Sequence, residues 1–347
     1  MRAYPFILSV IILVACGQNN DNIFDAPVRN AKAIEQGSVK GERTCLSGDT
    51  IGNISGIYAN DSILLLKGVE ADSPFLIHAF STKDDSAVGN FVAKGRGEGE
   101  LLAPIIKGCQ QKEDRSIYLF DLNLCAAFSL DIKKSVESQK TDLSLLLKLP
   151  PQTLDAYPIG EDHIALVPQK DDYICEILDR NGDQIKKFSL FPNVPGSDYF
   201  EGLSSACVVN QDRRMLAMAM CMLPQVNILD ITTGKKSTVA ISKDYKNWHK
   251  ILNDSNDERR IYYTAITQSD KNIIALCMDS AFEEWIKGTK APHLHIFDWE
   301  GNFLNDVTIQ ENLKTISFDD STQILYGVDT NDSVFKYDLS DIINGKA

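Results

Sequence analysis

His295-Ile296-Phe297-Asp298-Trp299-Glu300-Gly301-Asn302, followed by Phe303 to Ile309, reads as two β-strands joined by a tight turn. The first run is apolar and an Asp closes it. Gly301-Asn302 then tolerates the positive φ that a hairpin turn demands. The same grammar recurs along the chain. Ile117 to Asp121 precedes Ala126 to Leu130, and Cys175 to Gly182 precedes Ile185 to Leu190. Val226 to Asp230, with Thr233-Gly234, precedes Ser237 to Ile241, and Val334 to Asp338 ends the series. Further apolar runs stand upstream: Ile63 to Leu66, Ile164 to Val167, Met215 to Met220, Ile273 to Met278 and Ile324 to Val328.

The unit repeats at about 40–60 residues, the spacing of a propeller blade, and about six such units fit between Gly52 and Ile343. The expected fold is all-β, a six-bladed β-propeller over residues 31–347. Asp142 to Leu149 leaves helix and strand open, because a short apolar run does not separate them. An open sheet edge is a liability, and Asp332 to Leu339 leaves the last blade short of strands. A strand from the region of Ala31 to Leu46 is therefore expected to close the ring.

The N-terminus carries a targeting pattern. Arg2 supplies a short positive region, Phe6 to Val14 a nearly continuous apolar run, and Leu13-Val14-Ala15-Cys16 closes it. The run is too short to span a bilayer comfortably, so residues 1–15 read as a signal peptide. A cysteine directly after small and apolar residues is similar to a bacterial lipobox. That resemblance implies cleavage before Cys16, a diacylglycerol on its sulfur, and acyl chains such as palmitate holding the mature chain on a membrane. Residues 16–30 are polar and read as a flexible, lipidated tether. The remaining seven of the eight cysteines are widely spaced and lack zinc spacing. They read as buried thiols used as small hydrophobes, with one disulfide left open because export permits it.

The net charge of −13 over 347 residues opposes nucleic-acid binding and docking on anionic lipid headgroups, both of which need clustered Lys and Arg. No Walker loop, dinucleotide fingerprint or nucleophile elbow is present, and no cofactor is expected.

His295 to Asn302, Ile324 to Val328 and Val334 to Leu339, together with Phe91-Val92-Ala93-Lys94-Gly95-Arg96-Gly97-Glu98-Gly99-Glu100-Leu101, resemble the TolB-like six-bladed β-propeller lipoproteins of Bacteroidetes. The likeness spans nearly all of the mature chain. It implies the propeller fold and an envelope location, as an outer-membrane lipoprotein facing the periplasm or the exterior. It supplies no catalytic residue. One departure is visible: the glycine-rich loop of the family has Pro before its Glu, where Gly99 stands here.

Several residues are candidates for a site. Arg96, Glu98 and Glu100 alternate with glycines that could form an anion nest; they either shape a structural loop, with Arg96 paired to a Glu, or help define a pocket at a channel mouth. Trp285 lies in a long segment, Ser280 to Pro292, where it either anchors a partner or packs on the rim. Trp248, next to His249 in a polar stretch with Asp254, Asp257 and Glu258, lies either in a carbohydrate- or peptide-facing loop or in one that is simply solvated. His293 and His295 share a strand face and could present two imidazoles to a metal, with no third ligand identifiable. The pairs Asp84-Asp85, Asp171-Asp172 and Asp319-Asp320 sit near turns and read as hairpin residues.

These features favour a lipid-anchored binding protein whose partner is a protein, a peptide or a glycan. The alternative is a calcium-dependent lactonase- or esterase-like hydrolase, which would need carboxylates from several blades gathered on the axis.

Overall fold

The Asp that ends an apolar strand turns the chain by capping its own loop. Asp179 Oδ1 accepts from the backbone N–H of Asn181 at 2.8 Å and of Asp183 at 2.9 Å. Asp230 Oδ1 accepts from those of Thr232 and Thr233 at 2.8 and 3.0 Å. Asp298 Oδ1 accepts from that of Asn302 at 2.7 Å. Each carboxylate satisfies amides that no strand neighbour can reach.

A computed structural model describes residues 22–32, 36–69, 73–109, 116–169, 172–192, 194, 203–253 and 259–345. Six sheets form the six blades of a β-propeller. Blade 1 contains Asn53–Asn60, Ile63–Val69, Phe75–Ser81 and Ala87–Lys94, and blade 2 contains Pro104–Cys109, Ser116–Asp121, Ala126–Asp131 and Leu143–Lys148. Blade 3 contains Asp155–Ile159, Asp162–Gln169, Asp172–Leu178 and Gln184–Ser189, and blade 4 contains Ser205–Asn210, Met215–Met220, Gln225–Asp230 and Lys236–Ala240. Blade 5 contains Arg260–Gln268, Asn272–Ala281, His293–Asp298 and Phe303–Thr308. Blade 6 contains Leu313–Asp319, Ile324–Asp329, Ser333–Asp338 and, from the other end of the chain, Glu42–Ser47.

The first strand of each blade touches the first strands of both neighbours, which closes an inner ring. Each blade is an antiparallel meander with an even number of strands. Every first strand therefore starts on the same face, and all six run the same way along the axis.

The second strands are buried on both sheet faces, hence their unbroken apolar character. Leu216 and Met218 pack with Ile164, Leu166 and Ile177 of blade 3. The intervening Ala217 and Ala219 pack with Tyr263, Phe297 and Trp299 of blade 5. Trp299, from the turn between Asp298 and Asn302, is buried and donates its indole N–H to the Ser269 carbonyl at 3.3 Å.

Blade 2 departs from the repeat. There the Ile117–Asp121 motif is the second strand rather than the third. Its Asp121 is consequently buried, and it accepts from the amides of Leu102, Ala103 and Leu124 at 2.7 to 2.9 Å. The short helix Ile132–Ser138 follows the third strand, capped by Asp131, which accepts from the Lys134 amide. Leu143–Lys148, in the ambiguous segment, is a strand.

The N-terminal residues wrap the rim. Val28–Asn30 adds a parallel strand to the outer edge of blade 4, and Gln36–Ser38 adds one to blade 5. Glu42–Ser47 then pairs antiparallel with Ser333–Asp338 and closes the ring. This corrects the expected extent of the tether. The chain is packed from Asn22, not from residue 31, because Ile23, Phe24 and Ala26 are fully buried in the blade 3–4 core. The Lys236 ammonium lies 4.7 Å over the Phe24 ring, and the Asn22 side chain accepts from the Phe24 amide. The signal peptide and Cys16 lie outside the described residues. Cys45, Cys125, Cys175, Cys207, Cys221 and Cys277 are free thiols. Among the described residues, no helix is long and apolar enough to cross a membrane.

Candidate functional site: the axial channel

The six first strands line an axial cavity of about 920 Å³. It is an open passage with a mixed lining: Ile106, Val209 and Ile316 stand beside Tyr58, Gln268 and several charged groups.

The two ends differ in charge. The turns that leave the first strands bring Glu161, Asp212, Asp270 and Asp320 to one mouth. The Asp270 amide donates to Asp320 Oδ2 at 3.0 Å, which ties two of these turns together. Lysines occupy the other end. Lys314 is the second residue of its strand and is paired with Asp332. Lys107 is paired with Asp155, the first residue of the neighbouring inner strand.

Around Lys107 the polar groups form one network. Its ammonium donates to the Tyr157 hydroxyl at 3.1 Å. That hydroxyl is also within reach of the Asp155 carboxylate and lies 3.0 Å from the Cys207 carbonyl. Burial, reinforced by Asp155, holds the Tyr157 phenol well above its usual range, so it stays a donor. Burial first and Asp155 second push the Cys207 thiol up to about 12. A protonated thiol is a poor nucleophile.

Lys67 differs from the other two. It comes from a second strand, opposite Gly56 in the register. A Cβ on Gly56 would lie 3.4 Å from Lys67 Cβ and 3.8 Å from its Cδ. The lysine stem thus passes over the glycine, and a residue that belongs to the sheet interior reaches the channel. Its ammonium makes no ion pair or hydrogen bond with any described residue. Burial lowers its pKa from the ordinary lysine value, with Asp121 opposing. The wall therefore presents a half-buried cation with unused donor capacity.

Of the residues singled out in the sequence, Asp320 stands at the acidic mouth, whereas Arg96, Glu98, Glu100, Trp248, Trp285, His293 and His295 do not line this channel. Arg96 and Glu98 are exposed and sit in the loop between blades 1 and 2. Glu100 folds back to accept from the Gly97 amide at 2.7 Å, so the glycine nest is filled by its own carboxylate. A Cβ at Gly95 would fall 1.9 Å from Glu100 Oε2, so a side chain there would displace the Glu100 carboxylate from the Gly97 amide. Arg96 forms no ion pair with a described residue, contrary to the expected pairing with a Glu. Trp285 lies on the short helix Phe282–Lys287, its ring 5.7 Å from Phe282 and packed on the blade 5–6 core. Trp248 is a correction. It is 5% exposed, within the blade 3–4 core, and stacks on His249. A buried ring is not available to a carbohydrate or a peptide.

His293 and His295 do share one face. Asp306, directly opposite His295, joins them. These three are the one group of potential metal ligands found among the described residues, and they lie in blade 5, off the axis. Among the described residues, the carboxylates of the channel mouth do not form a further group of three converging ligand atoms. The Lys67–Gly56 pairing was missed by sequence reasoning. The available signal was a lysine directly ending the apolar run Ile63 to Leu66.

An axial channel ringed by six four-stranded meanders defines the class of six-bladed β-propellers. Within that class the chain belongs to the TolB-like 6-blade propeller-like family, whose model matches residues 55–321. Among solved structures, it is similar to a member of the DUF4221 family from Bacteroides vulgatus ATCC 8482, at 10% identity and a TM-score of 0.57, covering 87% of this chain and 98% of that one. It is also similar to a protein from Bacteroides fragilis NCTC 9343 named as a candidate for export, at 12% identity and a TM-score of 0.52, covering 87% and 99%. At these identities the likeness shows the fold. No curated protein matches the chain.

Proposed function

We propose that this protein is a binding protein of the bacterial cell envelope that takes an anionic ligand, the acidic end of a peptide or glycan, at the lysine end of its axial channel. One observation carries the reading: Lys67 projects into an open cavity of about 920 Å³ and makes no ion pair or hydrogen bond with a described residue, the Asp121 carboxylate acting on it only from beyond contact. Lys107 and Lys314 flank the same wall but are already paired. A ligand carboxylate would supply the charge-assisted hydrogen bonds that Lys67 lacks. The carboxylates at the opposite mouth would repel it, so it enters from the lysine end. The raised pKa values of Tyr157 and Cys207 favour binding over nucleophilic chemistry.

The lipobox-like Leu13 to Cys16 supports a lipid anchor, with Cys16 the acylated residue and the propeller presented at an outer-membrane surface, toward periplasm or exterior. The reading takes no nucleic acid and no resident cofactor.

A thermal-shift screen tests it. Oligouronates and peptides with free C-terminal carboxylates are set against their methyl esters and amides. The acidic members are expected to stabilise the protein and their neutral counterparts to leave it unchanged. Equal stabilisation by both, or by neither, contradicts an anion-binding channel.

A further inference from the structure

We propose that His293, His295 and Asp306 form a binding site for a borderline-soft divalent cation of the zinc type, built on one face of blade 5 and separate from the channel.

The strand His293–Asp298 alternates faces, so His293 and His295 project to the same side. The neighbouring strand places Asp306 directly opposite His295. Three ligand side chains are thereby converged by register alone, on two hydrogen-bonded strands, without a loop. His293 Nδ1 lies 2.7 Å from Asp306 Oδ1, and His295 Nε2 lies 3.8 Å from the same oxygen. All three ligand atoms fall within 4.8 Å of one another. Ligands at about 2.0–2.1 Å from a tetrahedral zinc stand roughly 3.4 Å apart. The observed triangle brackets that separation, so rotamer-scale adjustments suffice to seat an ion.

The surroundings hold the second imidazole in a ligating pose. His295 Nδ1 lies 3.1 Å from the buried Tyr263 hydroxyl. With Nδ1–H donating to that oxygen, Nε2 keeps its lone pair and faces Asp306. This is the outer hydrogen bond that orients metal-ligating histidines. Phe303 and Phe297 meet the ring edge-on, with centroids 5.2 and 6.3 Å away. His293 and Asp306 are 25% and 17% exposed at their side chains, so one side of the triangle is open to solvent. Three protein ligands and one open position describe a site that keeps a water on the ion. Two imidazoles and one carboxylate select zinc-type ions over calcium or magnesium, which prefer oxygen alone.

The competing account is a simple His293–Asp306 ion pair with His295 as a core residue. Cobalt(II) separates the two. The full chain is stripped with a chelator and titrated with Co(II), and zinc is then added as competitor. The expected result is one equivalent of Co(II) bound, with the intense visible bands of a four-coordinate ion, bleached by zinc. Zinc raises the melting temperature and calcium does not. His293→Ala and Asp306→Asn, which leave the Tyr263–His295 contact in place, are each expected to weaken binding at least tenfold. Lack of the visible bands overturns the proposal. So does binding that both variants retain undiminished, or stabilisation by calcium alone.

Discussion

The Thr44 hydroxyl donates to the Val334 carbonyl at 3.1 Å, although the two residues stand 290 positions apart in the chain. It lies in the ladder in which Ser47 faces Ser333 and Arg43 faces Phe335. The two ends of the propeller are held by one strand pair and by the side chains beneath it. Leu46, 3% exposed, is the apolar member from the N-terminal strand and packs with Val328 and Val334. Leu46→Ala is expected to cost about 2–4 kcal/mol, the range for a buried leucine cut back to a methyl. Ending the chain after Asp332 removes the partner strand altogether and should abolish the cooperative thermal transition. A transition unchanged in midpoint and sharpness would contradict closure at this seam.

Acidification should weaken the fold through His163. Its ring is buried, with Nδ1 3.2 Å from the Tyr118 hydroxyl. Burial lowers its pKa below the ordinary 6.5, while Asp162 and Asp179 oppose that shift. The unfolded chain therefore binds a proton more readily than the folded one. Stability is present in full above about pH 6.5 and is lost as the pH falls toward the depressed folded value. His163→Gln should flatten the stability profile between pH 7 and 5, as measured by urea midpoints. An equally steep profile in the variant would place the loss elsewhere.

The glycine-rich loop is expected to be structural. Gly95→Ala drives its Cβ against the Glu100 carboxylate and breaks the bond to the Gly97 amide. A loss of about 1 kcal/mol follows for one hydrogen bond. Ligand affinity should not move, since the loop lies outside the channel. A variant of unchanged stability but reduced affinity would return Arg96, Glu98 and Glu100 to the binding site.

Cys16→Ala should move the protein from the membrane fraction to the soluble fraction of cells. Retention in the membrane fraction would show that an N-terminal acyl chain is not what holds it.

The blade grammar was legible because it rests on local chemistry. An Asp that caps its own turn and an alternating or continuous apolar run leave marks within ten residues of each other. The closing strand was legible from an unpaired edge. The rest depended on contacts far apart in sequence. Trp248 stands among polar neighbours, yet its burial comes from blades 3 and 4 folding over it. Ile23 and Phe24 sit in a polar segment, and only the groove between two blades explains why they are packed. Asp306 completes the histidine pair solely through register, which no spacing rule reveals. Lys67 enters the channel because the residue opposite it, Gly56, has no side chain.

Lys67 is also the residue on which ligand binding in the channel is proposed to depend. Titration calorimetry of the full chain with a trimer of galacturonate, in the wild type and in Lys67→Met, tests it directly. The methionine keeps the apolar stem over Gly56 and removes only the charge. Binding in the wild type that falls about 10- to 100-fold in the variant, the loss expected for one hydrogen bond to a charged group, is the predicted result. Affinity equal in the two proteins would contradict a channel that holds its ligand through Lys67.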